Sequence, residues 1–229
     1  MSAATPELIE RLARYDTPTI CNALETLDAD RRGTGFTTRP LMAAFPAMGP
    51  VVGVARTLEI RTTAPRGEDR ESLTERRLDY FGYVATGRLP KIVVARDLDG
   101  DAGIAASWGD VMATLHRAFG VRGVVTDGAI RDIAGMPEGI QFLAAGEKPS
   151  HGYLHTIAFG RRVEVAGMAV GSDDLVHMDR NGAVMIPANL AEALPAACDA
   201  VQTKERQTLD TITAPHFDIG KARELFGGR

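Results

Sequence analysis

The chain has 229 residues, enough for one large domain or two small ones with a substantial buried core. Hydrophobic content of 45% and charged content of 24% are those of a globular protein, and a net charge of -4 lacks the basic excess of a general nucleic-acid binder. No apolar run reaches membrane-spanning length, and the only cysteines, Cys21 and Cys198, form no CxxC pair, which suits a reduced, cytoplasmic protein.

The N-terminal MSAATPELIERLARY reads as a polar amphipathic helix rather than a signal peptide. Thr5-Pro6 starts that helix, with Leu8, Ile9, Leu12 and Tyr15 on one face. Thr17-Pro18 starts a second, with Ile20, Leu24 and Leu27 inward. VVGVARTLEIRTT (51–63) is expected as a long strand, followed by a charge-dense loop running into a helix that carries Leu73, Leu78, Phe81 and Val84. KIVVARDL (91–98) and GIQFLAAG (139–146) are further strands. LVHMDRNGAVMIP reads as a hairpin with Asn181-Gly182 at two positive-φ positions. A helix from about 189 to 209 and a Pro/Gly-containing tail complete a chain in which no linker stands out. Strands and helices mix without a strict βαβ period, so residues 1–229 are expected to form a single compact α/β sandwich rather than a Rossmann sheet, with N-terminal helices over about 5–28 and a C-terminal helix plus tail over about 189–229.

The stretch WGDVMATLHRAFGVRGVVTDGAIRD stands apart. Gly109-Asp110 offers an N-cap for a helix over roughly 111–119, closed by Gly120. VRGVVTDG then reads as a strand, and Arg131–Asp132 follows, with twenty residues between Asp110 and Arg131. Helix starts and strand ends are where α/β proteins present backbone donors and charged tips to ligands, and this pair invites an anionic substrate.

In DTPTICNAL, WGDVMAT, RGVVTDGAIRD, FLAAGEKP and VGSDDLVHMDRNGAVMIP the chain resembles the RraA-like proteins, which include metal-dependent 4-hydroxy-4-methyl-2-oxoglutarate aldolases. The likeness covers roughly residues 16–190 and reproduces the aldolase signature of an Asp, twenty residues, then Arg-Asp. It implies a swivelling β/β/α fold, a homotrimer or hexamer with sites between subunits, and a divalent metal, Mg²⁺ or Mn²⁺. Asp132 is then the metal residue, and Arg131 holds the carboxylate and keto oxygen of a pyruvate-like fragment. Gly109, Asp110, Val111 and Met112 line the substrate pocket, and Asp110 orients water that moves protons. The implied activity is retro-aldol cleavage of a 4-hydroxy-2-oxo acid with release of pyruvate, with oxaloacetate decarboxylation beside it. No nucleic acid and no membrane are implied as partners. The family's namesake, an inhibitor of ribonuclease E acting by protein–protein contact, supplies the alternative. The family's usual Pro-Gly-Asp is Gly171-Ser172-Asp173 here, and either Glu205 or Asp210 is a candidate carboxylate from a neighbouring subunit.

Other residues have structural readings beside the chemical ones. Asp127 is expected to end its strand at a turn, and Trp108 to pack. His151 and His155 have the i,i+4 spacing of a zinc pair but lie in a loop-like stretch. His116, His177 and His216 form no visible cluster. Among four lysines, Lys91 is the sole Schiff-base candidate, and its alternative is a strand-edge gatekeeper. A menaquinone-methyltransferase function lacks any glycine-rich cofactor loop.

Overall fold

The valine- and isoleucine-rich runs become strands buried on both faces of one sheet. The structure, a computed structural model, describes residues 4–100 and 103–227. The main sheet contains β1 (Met42–Ala43), β2 (Val51–Arg61), β3 (Lys91–Asp97), β5 (Val121–Thr126) and β7 (Gln141–Ala144) in the order β1-β7-β5-β3-β2. β2, β3, β5 and β7 run parallel, so their C-terminal ends share one side. Beyond that side β4 (Ala106–Trp108), β6 (Ala129–Ile130) and β8 (Gly146–Glu147) form a second, parallel sheet. The other edge of β2 is shared by β9 (His155–Phe159) and β12 (Leu175–Asp179), and β13 (Gly182–Ile186) pairs with β12. A small hairpin, β10 (Val163–Val165) with β11 (Met168–Val170), covers one face of the sheet.

Strand periodicity of two sorts the core. Val93, Ala95, Val124 and Phe142 point to the helical side, while Ile92, Val94, Val125 and Leu143 point to the hairpin. Each fully buried Val, Ile, Leu or Phe among them contributes about 1.5–3 kcal/mol. The mixed α/β sandwich expected from the sequence is observed.

The helices follow their caps. α1 (Pro6–Leu12) is capped by Thr5, which accepts from Leu8 N–H at 3.2 Å, and Leu8, Ile9, Leu12 and Tyr15 are buried. In α2 (Thr17–Leu27) the cap is Asp16, whose carboxylate accepts from Thr19 N–H at 2.9 Å; Ile20 and Leu24 are buried, but Leu27 in the last turn is exposed. In α3 (Arg70–Ala85) Tyr80 and Val84 are buried, whereas Leu78 is 58% exposed. Six residues from Val84 is about 240° around a helix, so Leu78 must face away. α4 is Asp110–Ala118. α5 (Leu194–Thr213) starts later than expected, with Pro195 in its first turn, and the tail contains α6 (Ile219–Phe226), capped by Asp218. α1, α2 and α5 pack on β12 and β13 around Leu12, Leu24, Val184 and Leu194. Cys21 and Cys198 are free thiols, and burial pushes them up to about 11 and about 12 respectively.

Two expectations change. Only Gly182 of the hairpin turn has positive φ, at 139°; Asn181 is instead held by Asp179, whose Oδ1 accepts from Asn181 N–H at 2.7 Å. Lys91 is no strand-edge residue, because β3 lies between β2 and β5. Its buried Nζ donates to Gly87 O at 3.1 Å and to Phe119 O at 2.8 Å, where α3 and α4 have just ended. A cation at helix C-termini is favourable, so burial lowers its pKa without leaving it unpartnered.

His116 is the largest polar commitment of the core. Its Nδ1 donates to Met112 O at 2.8 Å, which leaves Nε2 to accept from Tyr80 Oη at 2.8 Å. Burial lowers its pKa from 6.5 to about 4. The unfolded chain therefore takes up the proton first, and stability present above pH 6.5 is lost as the pH falls toward 4. We predict that the urea-unfolding advantage of the wild type over His116→Gln shrinks by about 2 kcal/mol between pH 7 and pH 5; parallel pH curves for the two proteins would refute the assignment.

Candidate functional site

The parallel pairing of β4 with β6 brings the two halves of the motif together. Trp108 is in register with Ile130, and Arg131 N–H donates to Trp108 O at 2.8 Å. Arg131 and Asp132 therefore stand beside Gly109-Asp110, the start of α4. The contact is close: a Cβ on Gly109 would lie 3.1 Å from Asp132 Oδ2 and 3.4 Å from Arg131 Nε. On the other side, a Cβ on Gly135 would lie 3.4 Å from Asp110 Oδ2. Both glycines are where the backbone must pass a carboxylate.

Asp132 sits at φ 56°, ψ 33°, a left-handed conformation that Asp tolerates better than most residues. Its C=O accepts from Gly135 N–H at 2.9 Å, closing a tight turn. Arg131 Nε lies 3.2 Å from Asp132 Oδ2, and Nη1 donates to Pro149 O at 3.2 Å. With side chains 33% and 48% exposed, the pair is open to a ligand, and by itself is worth about 0–1 kcal/mol. Among the described residues, Arg131 is the side chain that pairs with the Asp132 carboxylate.

The helix cap differs from the sequence reading. Gly109 occupies the N-cap position without a side-chain bond, and Asp110 is the first helical residue. Its Oδ1 accepts from Val111 N–H at 2.7 Å, so that donor is already engaged, while the helix start still favours an anion. Val111 is exposed, and Met112 packs partly against the core. The five positions Gly109, Asp110, Val111, Arg131 and Asp132 thus share one corner, with Met112 at its inner wall.

The remaining candidates do not join them. Trp108 is buried, with its ring centroid 4.6 Å from His116 and 5.9 Å from Phe142, as a packing residue should be. His151 Nδ1 and His155 Nδ1 bond separate carbonyls, those of Gly152 and Tyr153. His177 is buried between Thr17 Oγ1 and Tyr15 O. Glu205 accepts from Asn22 Nδ2 at 3.2 Å on the exposed side of α5, and Asp210 is exposed beyond it. Asp173, at φ 68°, forms an ion pair with Arg56. Among the described residues, no group of three or more His, Cys, Asp or Glu side chains is arranged to hold a metal.

Sequence reading missed a buried acidic group at the root of β6. Asp97 is 3% exposed; its Oδ1 accepts from Asp99 N–H at 3.0 Å, and its Oδ2 has no partner among the described residues. Burial raises its pKa to about 6. Asp127 does end β5, and its Oδ1 accepts from Asp97 N–H at 2.7 Å. Burial also pushes Asp99 up, but bonds from Thr63 and Thr62 outweigh this and hold it at about 2. The signal lay in RDLDGD, an acidic cluster directly after an apolar strand.

Fold and corner together define an α/β protein with an Arg–carboxylate pair set against a helix start. The family description RraA-like (Aldolase/RraA) matches residues 17–185, and the chain belongs to that family. An uncharacterized protein from Pseudomonas syringae pv. tomato is similar in structure, with TM-score 0.72, 21% identity and coverage of 97% of this chain and 95% of that one. Streptomyces coelicolor RraAS2, described as an unusual member of the RNase ES inhibitor RraA protein family, gives TM-score 0.70 at 25% identity over 90% of this chain and 96% of that one. The RNA-processing inhibitor RraA from Thermus thermophilis gives 0.52 at 19% identity over 73% and 92%. Comparison with curated proteins gives no match. Among the described residues no helix is long and apolar enough to cross a membrane.

The close approach at Gly109 is testable. Gly109→Ala is expected to displace the Asp132 carboxylate by a few tenths of an ångström, visible in a crystal structure, with a change in stability of about 1 kcal/mol or less. An unmoved Asp132 would show that the approach is not restrictive.

Proposed function

We propose that this protein is a divalent-metal-dependent lyase that cleaves a 4-hydroxy-2-oxo acid and releases pyruvate, with oxaloacetate decarboxylation as a side reaction. The observation that carries this reading is the convergence of Arg131 and Asp132 on the bare backbone of Gly109 at the start of α4. The donor chemistry fits Mg²⁺ or Mn²⁺: hard cations that keep several waters need few protein ligands, and Asp132 offers a half-exposed carboxylate with a single protein partner. When bound at Asp132, the metal supplies Lewis-acid stabilisation of the negative charge that develops on the keto oxygen.

The chain's own residues account for the rest. Arg131, a planar fork, takes the substrate carboxylate and keto oxygen, and the start of α4 adds its dipole. The C3–C4 bond breaks as the 4-hydroxyl loses its proton and becomes a carbonyl. The bonding electrons pass into the pyruvate enolate, which then takes a proton at C3. Asp110, fixed beside Gly135, directs that proton traffic through water. Decarboxylation uses the same electron sink, with carbon dioxide as the leaving fragment. The active assembly in this reading is a homotrimer or hexamer, with Glu205 or Asp210 offered from a neighbouring subunit.

A second reading, inhibition of a ribonuclease E-type enzyme by surface contact, is favoured by the description of the Streptomyces structure. Pyruvate release from a panel of 4-hydroxy-2-oxo acids, read by a coupled assay, separates the two. We predict Mg²⁺-dependent turnover that EDTA abolishes, no activity in Asp132→Ala, and a loss of about 10²–10³-fold in Arg131→Ala. Turnover that survives EDTA or Asp132→Ala would overturn the metal lyase, and trapping by borohydride would point to Lys91 instead.

A further inference from the structure

A cavity of about 670 Å³ lies at the opposite end of the parallel strands from Arg131 and Asp132. Lys91 opens β3 at this end and Asp97 closes it at the other, six residues on, so the two ends lie about 20 Å apart. The walls are the N-terminal half of β2, the turn at Gly87–Leu89 between α3 and β3, the turn before β12, and the segment after β13.

Its polar lining holds more buried cation than anion. Arg56 is 6% exposed and Lys91 is 3% exposed, and both reach the same turn: Arg56 Nη2 donates to Thr86 O at 3.3 Å, and Lys91 Nζ to Gly87 O. Asp173 pairs with Arg56, but its side chain is 63% exposed. Asp174 is occupied by Gly171 N–H at 2.7 Å. Lys91 pairs with no carboxylate among the described residues, and the buried Nε of Arg56 has no partner. Arg88 adds an exposed cation at the rim. Buried charges are ordinarily paired, and a lining that sets Arg56, Lys91 and Arg88 against Asp173 and Asp174 has one cation in excess, which favours an anion.

The opposite wall is apolar, made by Val54, Leu89, Leu175 and Ile186. We propose that this cavity is a second ligand site, separate from the Asp132 corner, which binds a short-chain aliphatic carboxylate. The carboxylate meets Lys91 and Arg56, and the aliphatic body lies against the apolar wall. The size suits the purpose, since small-molecule pockets commonly span about 300–1,000 Å³.

Calorimetric titration of the full chain with hexanoate, hexanamide and inorganic phosphate tests this. Hexanoate is expected to bind with Kd of about 1 mM or tighter and to raise Tm, with hexanamide and phosphate at least about tenfold weaker. Arg88→Glu, at the exposed rim, and Lys91→Met are expected to weaken hexanoate about tenfold or more, whereas Asp132→Ala leaves it unchanged. Should Lys91→Met fail to fold, Arg88→Glu and the amide comparison still decide. Absence of saturable binding, equal binding of hexanamide or phosphate, indifference to Arg88→Glu, or loss of binding in Asp132→Ala would each overturn the proposal.

Discussion

One hydrogen bond organises the corner: the N–H of Arg131 to the carbonyl of Trp108. It extends the parallel pairing of β4 and β6 by one step and ties the end of one loop to the start of α4. Without that register, Asp110 and Arg131 are merely charged residues with twenty others between them. With it, the guanidinium and the Asp132 carboxylate meet a helix N-terminus across a glycine whose Cβ, if present, would press on that carboxylate at 3.1 Å.

The latch holds because both strands are anchored behind it. Trp108 is packed against His116 and Phe142, and His116 in turn is bonded to Tyr80 of α3 and to Met112 within α4. The helix that presents Asp110 is thereby fixed to the sheet by aromatic packing and by a neutral imidazole used as a two-way connector. The working corner is exposed while its support is dry. That division suits a site that must admit a charged ligand yet keep its geometry.

Membership of the RraA-like family leaves two activities open, since the family description joins aldolases with RraA proteins. The proposed lyase reading rests on the corner, where an arginine and a carboxylate are set against a helix start. The acids Asp97, Asp99 and Asp127 are linked in series, Asp99 N–H donating to Asp97 and Asp97 N–H to Asp127, two residues before β6. Their bonds join β3, β5 and the segment after β2, so the strand ends are held as a unit.

Much was legible in the chain itself. The cap at Thr5, the apolar runs of β2, β3, β5 and β7, and the Asp110 to Arg131–Asp132 spacing are local signals, because caps and periodicity act over a few residues. The details that failed were those set by neighbours distant in sequence. Tyr80 rather than Leu78 faces the core because of where α3 lies on the sheet, and Lys91 is central because β2 and β5 flank it. The short strands β4, β6 and β8 carry too few residues to show a period, and only their mutual pairing makes them strands. Sequence thus singled out the residues proposed to bear the chemistry. Tertiary register decided that they meet, since a contact across twenty residues is fixed by the pairing of strands and not by the propensity of either one.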